Sequence, residues 1–249
     1  MNQPTFEPLH VDVAAASVRR QVESKLRQAI TEGRFPPGSH LSDRVLQDTF
    51  RVSRPVIREA VRQLEAEGLI ETIPHRGSFV KILSVEEARQ IYDVRGVLEA
   101  LAARGFARNA TESHIERLGA IMEELRRAAR EPGSNGLIGL KEHFYAVLLD
   151  GCGNAYVQRM LSQILNQITQ LRRTSLSDPG RLTHTIEELE ALLDAVRKRD
   201  EDAAWAASLV HINNAAKVAL EVLRHRDERQ KQTNGTGDQE WTGNDTKKG

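Results

Sequence analysis

The chain has 249 residues with 35 basic and 35 acidic side chains, and only 4% of it is aromatic. Sparse Gly and Pro beside abundant Ala, Leu, Glu and Arg favour a helix-rich globular protein and disfavour a β-sandwich or a fibre. One cysteine, Cys152, excludes an intrachain disulfide and a multi-cysteine zinc site, and no apolar run reaches the roughly 18–20 residues of a membrane span. With no basic-then-apolar stretch at the N-terminus, the sequence predicts a cytoplasmic protein that does not enter a membrane. The neutral total conceals an asymmetry. Residues 18–83 carry twelve Lys/Arg against eight Asp/Glu, an excess that points to a polyanionic partner for the N-terminal third alone.

Residues 1–16 lack periodicity and read as a disordered arm. Ser17 is placed to cap a helix ending near Glu32, with Val18, Val22, Leu26 and Ile30 at helical spacing and Gly33 as the stop. After the turn-rich FPPGSHL, Ser42 caps a short helix, DRVLQDTF. Ser53 caps the next, with Pro55 in its first turn and Val56, Ala60, Val61 and Leu64 along one face. LIETI and SFVKI read as the two strands of a hairpin whose tip is Pro74-His75-Arg76-Gly77. Ser84 to Glu87 is a capping box, and six helices follow over about 84–108, 112–130, 136–151, 155–175, 181–199 and 201–226. Asn154 and Asp200 are N-cap candidates, and the polar stretch 227–249 reads as a disordered tail. The domain assignment is therefore 17–83 for a DNA-binding domain and 84–226 for a helical domain.

Three helices and a hairpin in some 65 residues fit a winged helix-turn-helix, whose second helix enters the major groove. The first turn of that helix offers Ser53, Arg54 and Arg58. Arginine can bridge O6 and N7 of guanine, and Ser or a helix N-terminus can hold a phosphate. Arg44 lies on the preceding helix. His75, Arg76 and Gly77 form the wing tip, where Arg suits a narrow minor groove and Gly permits close backbone approach.

These residues carry a family resemblance: Ile30-x-x-Gly33-x-x-x-Pro37-Gly38-x-x-Leu41, Val52 through Val61, Leu64-x-x-x-Gly68-Leu69-Ile70 and Arg76-Gly77-x-x-Val80. The segment resembles the DNA-binding domain of GntR-type bacterial regulators. The resemblance implies operator binding through Arg44, Arg54, Arg58 and Gly77. Pro55-Val56 departs from the family's usual Thr-Pro and removes a hydroxyl.

In the helical part, Leu98, Leu101 and Ala102 mark one core stripe and Leu161, Leu165, Ile168 and Leu171 another. Polar residues interrupting such stripes are pocket candidates. Arg95 is one, placed either to pair with Glu99 one turn on or to fork a ligand carboxylate. Arg172 and Arg173 close a helix end and read as surface charge complementing the dipole. His143 and His184 read as exposed, and Cys152 as a small filler. The runs Ile91 to Ala102, Phe144-Tyr145-x-x-Leu148, Gly153-Asn154, Asp194-Ala195-Val196 and His211 resemble the all-helical effector domain (FCD) of the FadR-type branch. That likeness implies an antiparallel bundle around a small metabolite.

Many such domains hold a divalent cation with an acidic or amide residue and three histidines. Alignment through the matched runs puts Lys141, Tyr145 and Leu189 at three of those positions and leaves only His211. One imidazole cannot supply the roughly four ligands zinc takes. The sequence therefore predicts no metal and no other cofactor. It predicts an organic-anion site in which Arg95 and Lys141 supply charge and Tyr145, Asn154 and His211 supply hydrogen bonds. The expected protein is a mainly α, ligand-responsive homodimer, more a repressor than an activator, that binds a palindromic double-stranded operator. The alternative, an enzyme with an appended DNA-binding head, lacks any converging catalytic set or phosphate-binding loop.

Overall fold

The computed structural model describes residues 13–130, 136–176, 178 and 180–235, and the chain divides into two compact units, one through Ile82 and one from Leu83. In the first unit, helix α1 (Val13–Thr31), α2 (Asp43–Phe50) and α3 (Arg54–Ala66) precede the antiparallel strands β1 (Ile70–Ile73) and β2 (Gly77–Val80). Ile57, Ala60, Val61 and Leu64 form the buried face of α3, at the spacing that brings side chains onto one side of a helix. They pack with Val22, Leu26 and Ile30 of α1, Leu46 of α2 and Ile70 and Val80 of the hairpin. Each fully buried aliphatic side chain there stabilises the fold by about 1.5–3 kcal/mol relative to exposure. Arg27 clamps the far end of α3 by donating to both oxygens of Glu67 at 2.8 and 2.7 Å.

The hairpin register pairs Ile70 with Val80 and Ile73 with Gly77. Its tip is a tight turn closed by Arg76 N–H donating to Ile73 O at 3.0 Å. Pro74 occupies the position that favours its fixed φ, and His75 takes φ +62°, a conformation usually left to Gly or Asn. The stretch before α2 runs beside β2: Leu41 N–H donates to Ser78 O and Val80 N–H to Ser39 O.

The second unit contains α4 (Val85–Asn109), α5 (Glu112–Arg130), α6 (Leu137–Gly151), α7 (Ala155–Gln163), α8 (Leu165–Leu176), α9 (Arg181–Arg197) and α10 (Glu201–Gly235). The Ser84–Glu87 capping box opens α4, and Asn154 caps α7 by accepting from the N–H groups of Tyr156 and Val157. Asp200 accepts from Ala203 N–H at the start of α10. Ala88, Gly96, Ala100, Ala102, Ala103 and Ala107 line the buried side of α4, so other helices approach it closely. α10 runs antiparallel to α4, with Arg104 paired to Asp202 and Arg108 to Glu201. No helix among the described residues is long and apolar enough to cross a membrane.

Three expectations from the sequence need correction. Helix α1 begins at Val13, ahead of Ser17, so Ser17 does not cap it; the run Ala14-Ala15-Ala16 propagates a helix well. Residues 1–12 of the expected arm lie outside the described residues. Helix α10 continues through Asp227 to Gly235, because Glu, Arg, Lys and Gln extend an established helix without needing a core, and residues 236–249 lie outside the description. The single helix expected over 155–175 is two, broken at Ile164 with φ −110° and ψ 10°. No Gly or Pro marks the break. Tertiary packing decides it, since α7 lies on α4 while α8 lies chiefly on α10.

Two glycines separate close packing from open space. A Cβ on Gly105 of α4 would stand 2.4 Å from the carbonyl oxygen of Cys152, whereas one on Gly139 of α6 would meet nothing within 4 Å. Gly105→Ala should therefore destabilise the protein by about 1–3 kcal/mol. Gly139→Ala should stabilise it by about 0.5 kcal/mol. Urea denaturation of both variants checks the contrast.

Candidate functional site

Two places concentrate chemistry, one in each unit. In the first, Arg54 begins α3 and Arg58 lies one turn on, both well exposed. Both point at Asp43, the first residue of α2, at 2.8 Å from Arg54 Nε and 3.5 Å from Arg58 Nε. Asp43 is held by the helix start it belongs to, where the Ser42 hydroxyl accepts from Val45 N–H. Ser53 occupies the N-cap position of α3, but its side chain makes no capping bond, contrary to expectation. Arg51 closes α2 in the left-handed region (φ 53°) and makes the turn between the two helices tight. A cleft of about 590 Å³ between α2, α3 and the hairpin is lined by His40, Asp43, Arg54, Arg58, Thr72 and Gly77 among others.

On the wing, His75, Arg76 and Gly77 are exposed. The Arg76 guanidinium lies 5.7 Å from the Phe79 ring centroid, and His40 stacks on the same ring at 4.9 Å. Gly77 has φ +96°, and a Cβ there would stand 2.7 Å from His40 Nε2. Arg44 is exposed on α2. His40 and Asp43 were missed from sequence. Asp43 stands one residue before Arg44, and only the α2–α3 crossing shows that its carboxylate sits against two arginines.

The second place is buried inside the helical unit. Arg95 and Glu99 on α4, Lys141 and Tyr145 on α6, Arg172 on α8, Arg181 on α9 and His211 on α10 are all at most 4% exposed. Arg95 Nε donates to Glu99 Oε1 at 2.7 Å, and Arg172 Nη2 stands 3.5 Å from the same oxygen. The Tyr145 ring lies between these arginines, with the Arg172 and Arg95 carbons 4.2 and 5.9 Å from its centroid. Beyond it the His211 ring is 6.5 Å away, centroid to centroid. Glu188 organises this end: Arg181 donates to both its oxygens at 3.0 and 2.7 Å, Asn214 donates at 2.8 Å, and His211 Nδ1 is 2.6 Å away.

The cluster is incompletely paired. Arg95 Nη1, Arg172 Nε and Nη1, Arg181 Nε, the Tyr92, Thr185 and Ser208 hydroxyls and His211 Nε2 are buried without a hydrogen-bond partner. A buried unsatisfied polar atom costs about 1–3 kcal/mol, and a charged one more. Burial, then the neighbouring Arg172, Arg95 and Arg181, hold the Lys141 amine well below the ordinary lysine range. Burial raises and the bonds from His211 and Arg181 lower the Glu188 carboxyl, which settles at about 2. Burial lowers His211 to about 3 against the opposing pull of Glu188. Burial disfavours the Glu99 carboxylate, but Arg95 and Arg172 more than offset this and keep it ionised.

The regions around these two places match two family models: "Bacterial regulatory proteins, gntR family" over residues 18–80, and "FCD domain" over residues 90–214. The chain belongs to the GntR family and carries an FCD domain. The HTH-type regulator BphR of Paraburkholderia xenovorans is 30% identical over 83% of this chain and 88% of its own. The galactonate operon transcriptional repressor of Escherichia coli is 28% identical over 79% and 94%. A GntR regulator from Rhodococcus sp. RHA1 superposes with a TM-score of 0.71 at 22% identity, covering 82% of this chain and 98% of that one, which establishes likeness of fold. This GntR-family protein is a DNA-binding transcriptional regulator and not an enzyme.

The FCD unit departs from a metal-binding arrangement. Leu189 is part of the apolar core, Tyr145 is stacked between guanidiniums, and Lys141 is buried among arginines. Of the four aligned positions His211 alone offers an imidazole, and no group of three or more His, Cys, Asp or Glu among the described residues could hold a metal ion. Cationic neighbours would repel a divalent ion, so these residues do not fit one.

Of the expected ligand residues, Arg95, Lys141, Tyr145 and His211 come together, and Asn154 does not. Asn154 is exposed and spends its side chain on the cap of α7. Arg172, read as surface charge, is instead 2% exposed at the centre of the cluster, while Arg181, Glu99 and Glu188 complete it. His143 and His184 are exposed and apart from it.

Three outcomes follow from this geometry. Arg54→Ala should cost about 1–3 kcal/mol of operator binding per half-site, read by a footprint titration. Asp43→Asn should raise affinity for random-sequence duplex, by removing a carboxylate that competes with phosphate for Arg54 and Arg58, and so lower discrimination. His211 binds its proton near pH 3 in the fold and near 6.5 in the unfolded chain. Between those values the unfolded state holds more protons, so stability falls as pH falls. Glu188 acts only lower, between about pH 4.5 and 2. Lys141, whose amine burial also holds well below its ordinary range, adds a loss of the same sign, so urea unfolding at about pH 7.5 and about pH 5 should show the combined loss and His211→Gln should reduce it.

Proposed function

We propose that the protein is a ligand-responsive repressor of a catabolic operon, released from a palindromic operator when a small organic anion enters the buried cluster of the helical domain. One observation carries this reading: Lys141 and three arginines, Arg95, Arg172 and Arg181, converge on two buried carboxylates, Glu99 and Glu188, and several of the arginine donors have no hydrogen-bond partner. An anionic ligand supplies the missing charge and the missing acceptors together. Tyr145, flanked by the arginines and His211, offers it a flat apolar surface.

The operator contacts are assigned to Arg44, Ser53, Arg54 and Arg58 on the helices and to His75, Arg76 and Gly77 on the wing. A homodimer reads both half-sites, and the linked second contact multiplies affinity. Val94, Val97 and Leu101, exposed along one side of α4, supply an apolar stripe for that assembly. Response to the effector is linkage. A ligand that binds one state of the dimer better lowers DNA affinity by its differential binding energy, ordinarily about 1–3 kcal/mol. The setting is the cytoplasm, where the operator lies.

The test uses stability and binding together. Lys141→Met removes a buried amine that has no carboxylate of its own. It should stabilise the unliganded protein by about 1–3 kcal/mol in urea, while abolishing the thermal shift that organic acids produce in the wild type. A thermal-shift screen in which no organic acid stabilises the wild type would remove the anion-site reading. Elemental analysis of untagged protein should find no stoichiometric zinc, nickel or manganese; about one per chain, lost on His211→Ala, would restore a metal centre.

A further inference from the structure

Phe79 is the only Phe, Tyr or Trp of the hairpin, yet it stays out of the core. Strand alternation explains this: its neighbour Val80 is fully buried, so Phe79 lies on the other face of β2, half-buried. The segment before α2 pairs with β2 through a bridge between His40 and Phe79, which puts both side chains on that same outer face. There the His40 ring meets the Phe79 ring at 4.9 Å, centroid to centroid, and the Arg76 guanidinium carbon stands 5.7 Å from the Phe79 centroid. Gly77 leaves the space that His40 needs to reach the ring, since a Cβ there would stand 2.7 Å from His40 Nε2.

An arginine at the tip of a tight turn can sweep through many rotamers, and ordering it on DNA costs entropy. A cation over an aromatic face is attracted to it, which biases those rotamers before DNA arrives. The ring does this without neutralising the charge. Arg54 and Arg58 share the carboxylate of Asp43, whereas Arg76 forms no ion pair among the described residues. A narrow minor groove has enhanced negative potential and attracts an uncompensated guanidinium, and A·T tracts narrow that groove. Resting on the reading of the wing as part of the operator interface, we infer that Phe79, braced by His40, is a positioning residue that presents Arg76 to the minor groove, and that this stack sets a preference for A·T pairs beside the bases read by α3. Phe79 acts through Arg76.

The test selects duplexes from a random-sequence pool with the full chain, then titrates the duplex selected by the wild type with each variant. The wild type should enrich A·T pairs beside the bases contacted by α3. Arg76→Ala and Phe79→Leu should both lose that enrichment while keeping the inner bases, and Phe79→Tyr, which retains the ring, should keep it. Phe79→Leu should weaken binding about 2- to 5-fold, the factor equivalent to one exposed cation–π contact. The loss caused by Arg76→Ala should shrink by that same factor in the Phe79→Leu background, because the two residues form one device. Additive losses, or a flanking preference that survives Phe79→Leu, overturn the inference and leave Arg76 on the DNA. Arg76→Ala that selects and binds like the wild type removes the wing from the operator interface, and the inference with it. His40→Ala leaves ring and guanidinium in place and gives a second cycle with Arg76→Ala that decides the matter if Phe79→Leu does not fold. Coupling is again expected, and its absence overturns the inference.

Discussion

Glu99 is one carboxylate shared by two guanidiniums inside a protein interior. Arg95 approaches it along its own helix and Arg172 from another, and all three are at most 2% exposed. Removing one partner from such a group leaves a buried charge uncompensated, a penalty of several kcal/mol. The surrounding helices therefore have to be placed so that both arginines reach Glu99. α4 supplies Arg95 and Glu99, α6 Lys141 and Tyr145, α8 Arg172, α9 Arg181 and Glu188, and α10 His211 and Asn214. The apolar core of Phe106, Leu118, Met122, Phe144 and Leu148 provides the free energy that holds these charges together.

An apolar filling of the same volume would often be as stable or more so, because desolvating charges is costly. The unpaired donors of the cluster are thus a cost to folding, offset by a well-packed apolar core and by the capped ends of α4, α7 and α10.

The winged unit follows the opposite rule, keeping its charges in water. Arg54 and Arg58 are about 60% exposed at the side chain, and both are paired with Asp43. An exposed pair contributes little to stability. Its consequence is orientation: two long flexible side chains are kept over the start of α3 by a neighbouring carboxylate. The wing is stiffened by stacking of Arg76 and His40 on Phe79, with Gly77 leaving room for His40.

Much of this was legible in the residues alone. Ser42, Ser84, Asn154 and Asp200 mark helix starts because a cap is a bond between residues two or three apart. The hairpin and its tip, the α2–α3 turn and the arginines after it are likewise short-range chemistry. The cluster could be read only in part. Arg95 and Glu99 are neighbours on one helix, and their spacing brought that pair forward, whereas Lys141 and Tyr145 came forward through the family resemblance. Arg172 looked like an ordinary charge at a helix end, and Arg181, Glu188 and Asn214 gave no local signal. Their roles arise from contacts between different helices, such as Glu188 with His211 and Asn214, and hydrophobic periodicity says which face is buried without saying what it meets. The break at Ile164 was hidden for the same reason, with no Gly or Pro to announce it. The sequence by itself determined the elements, the winged head and the absence of a histidine set. Only the tertiary structure decided which charges share a buried carboxylate and which nitrogen of His211 meets Glu188, because both depend on where separate helices place their side chains.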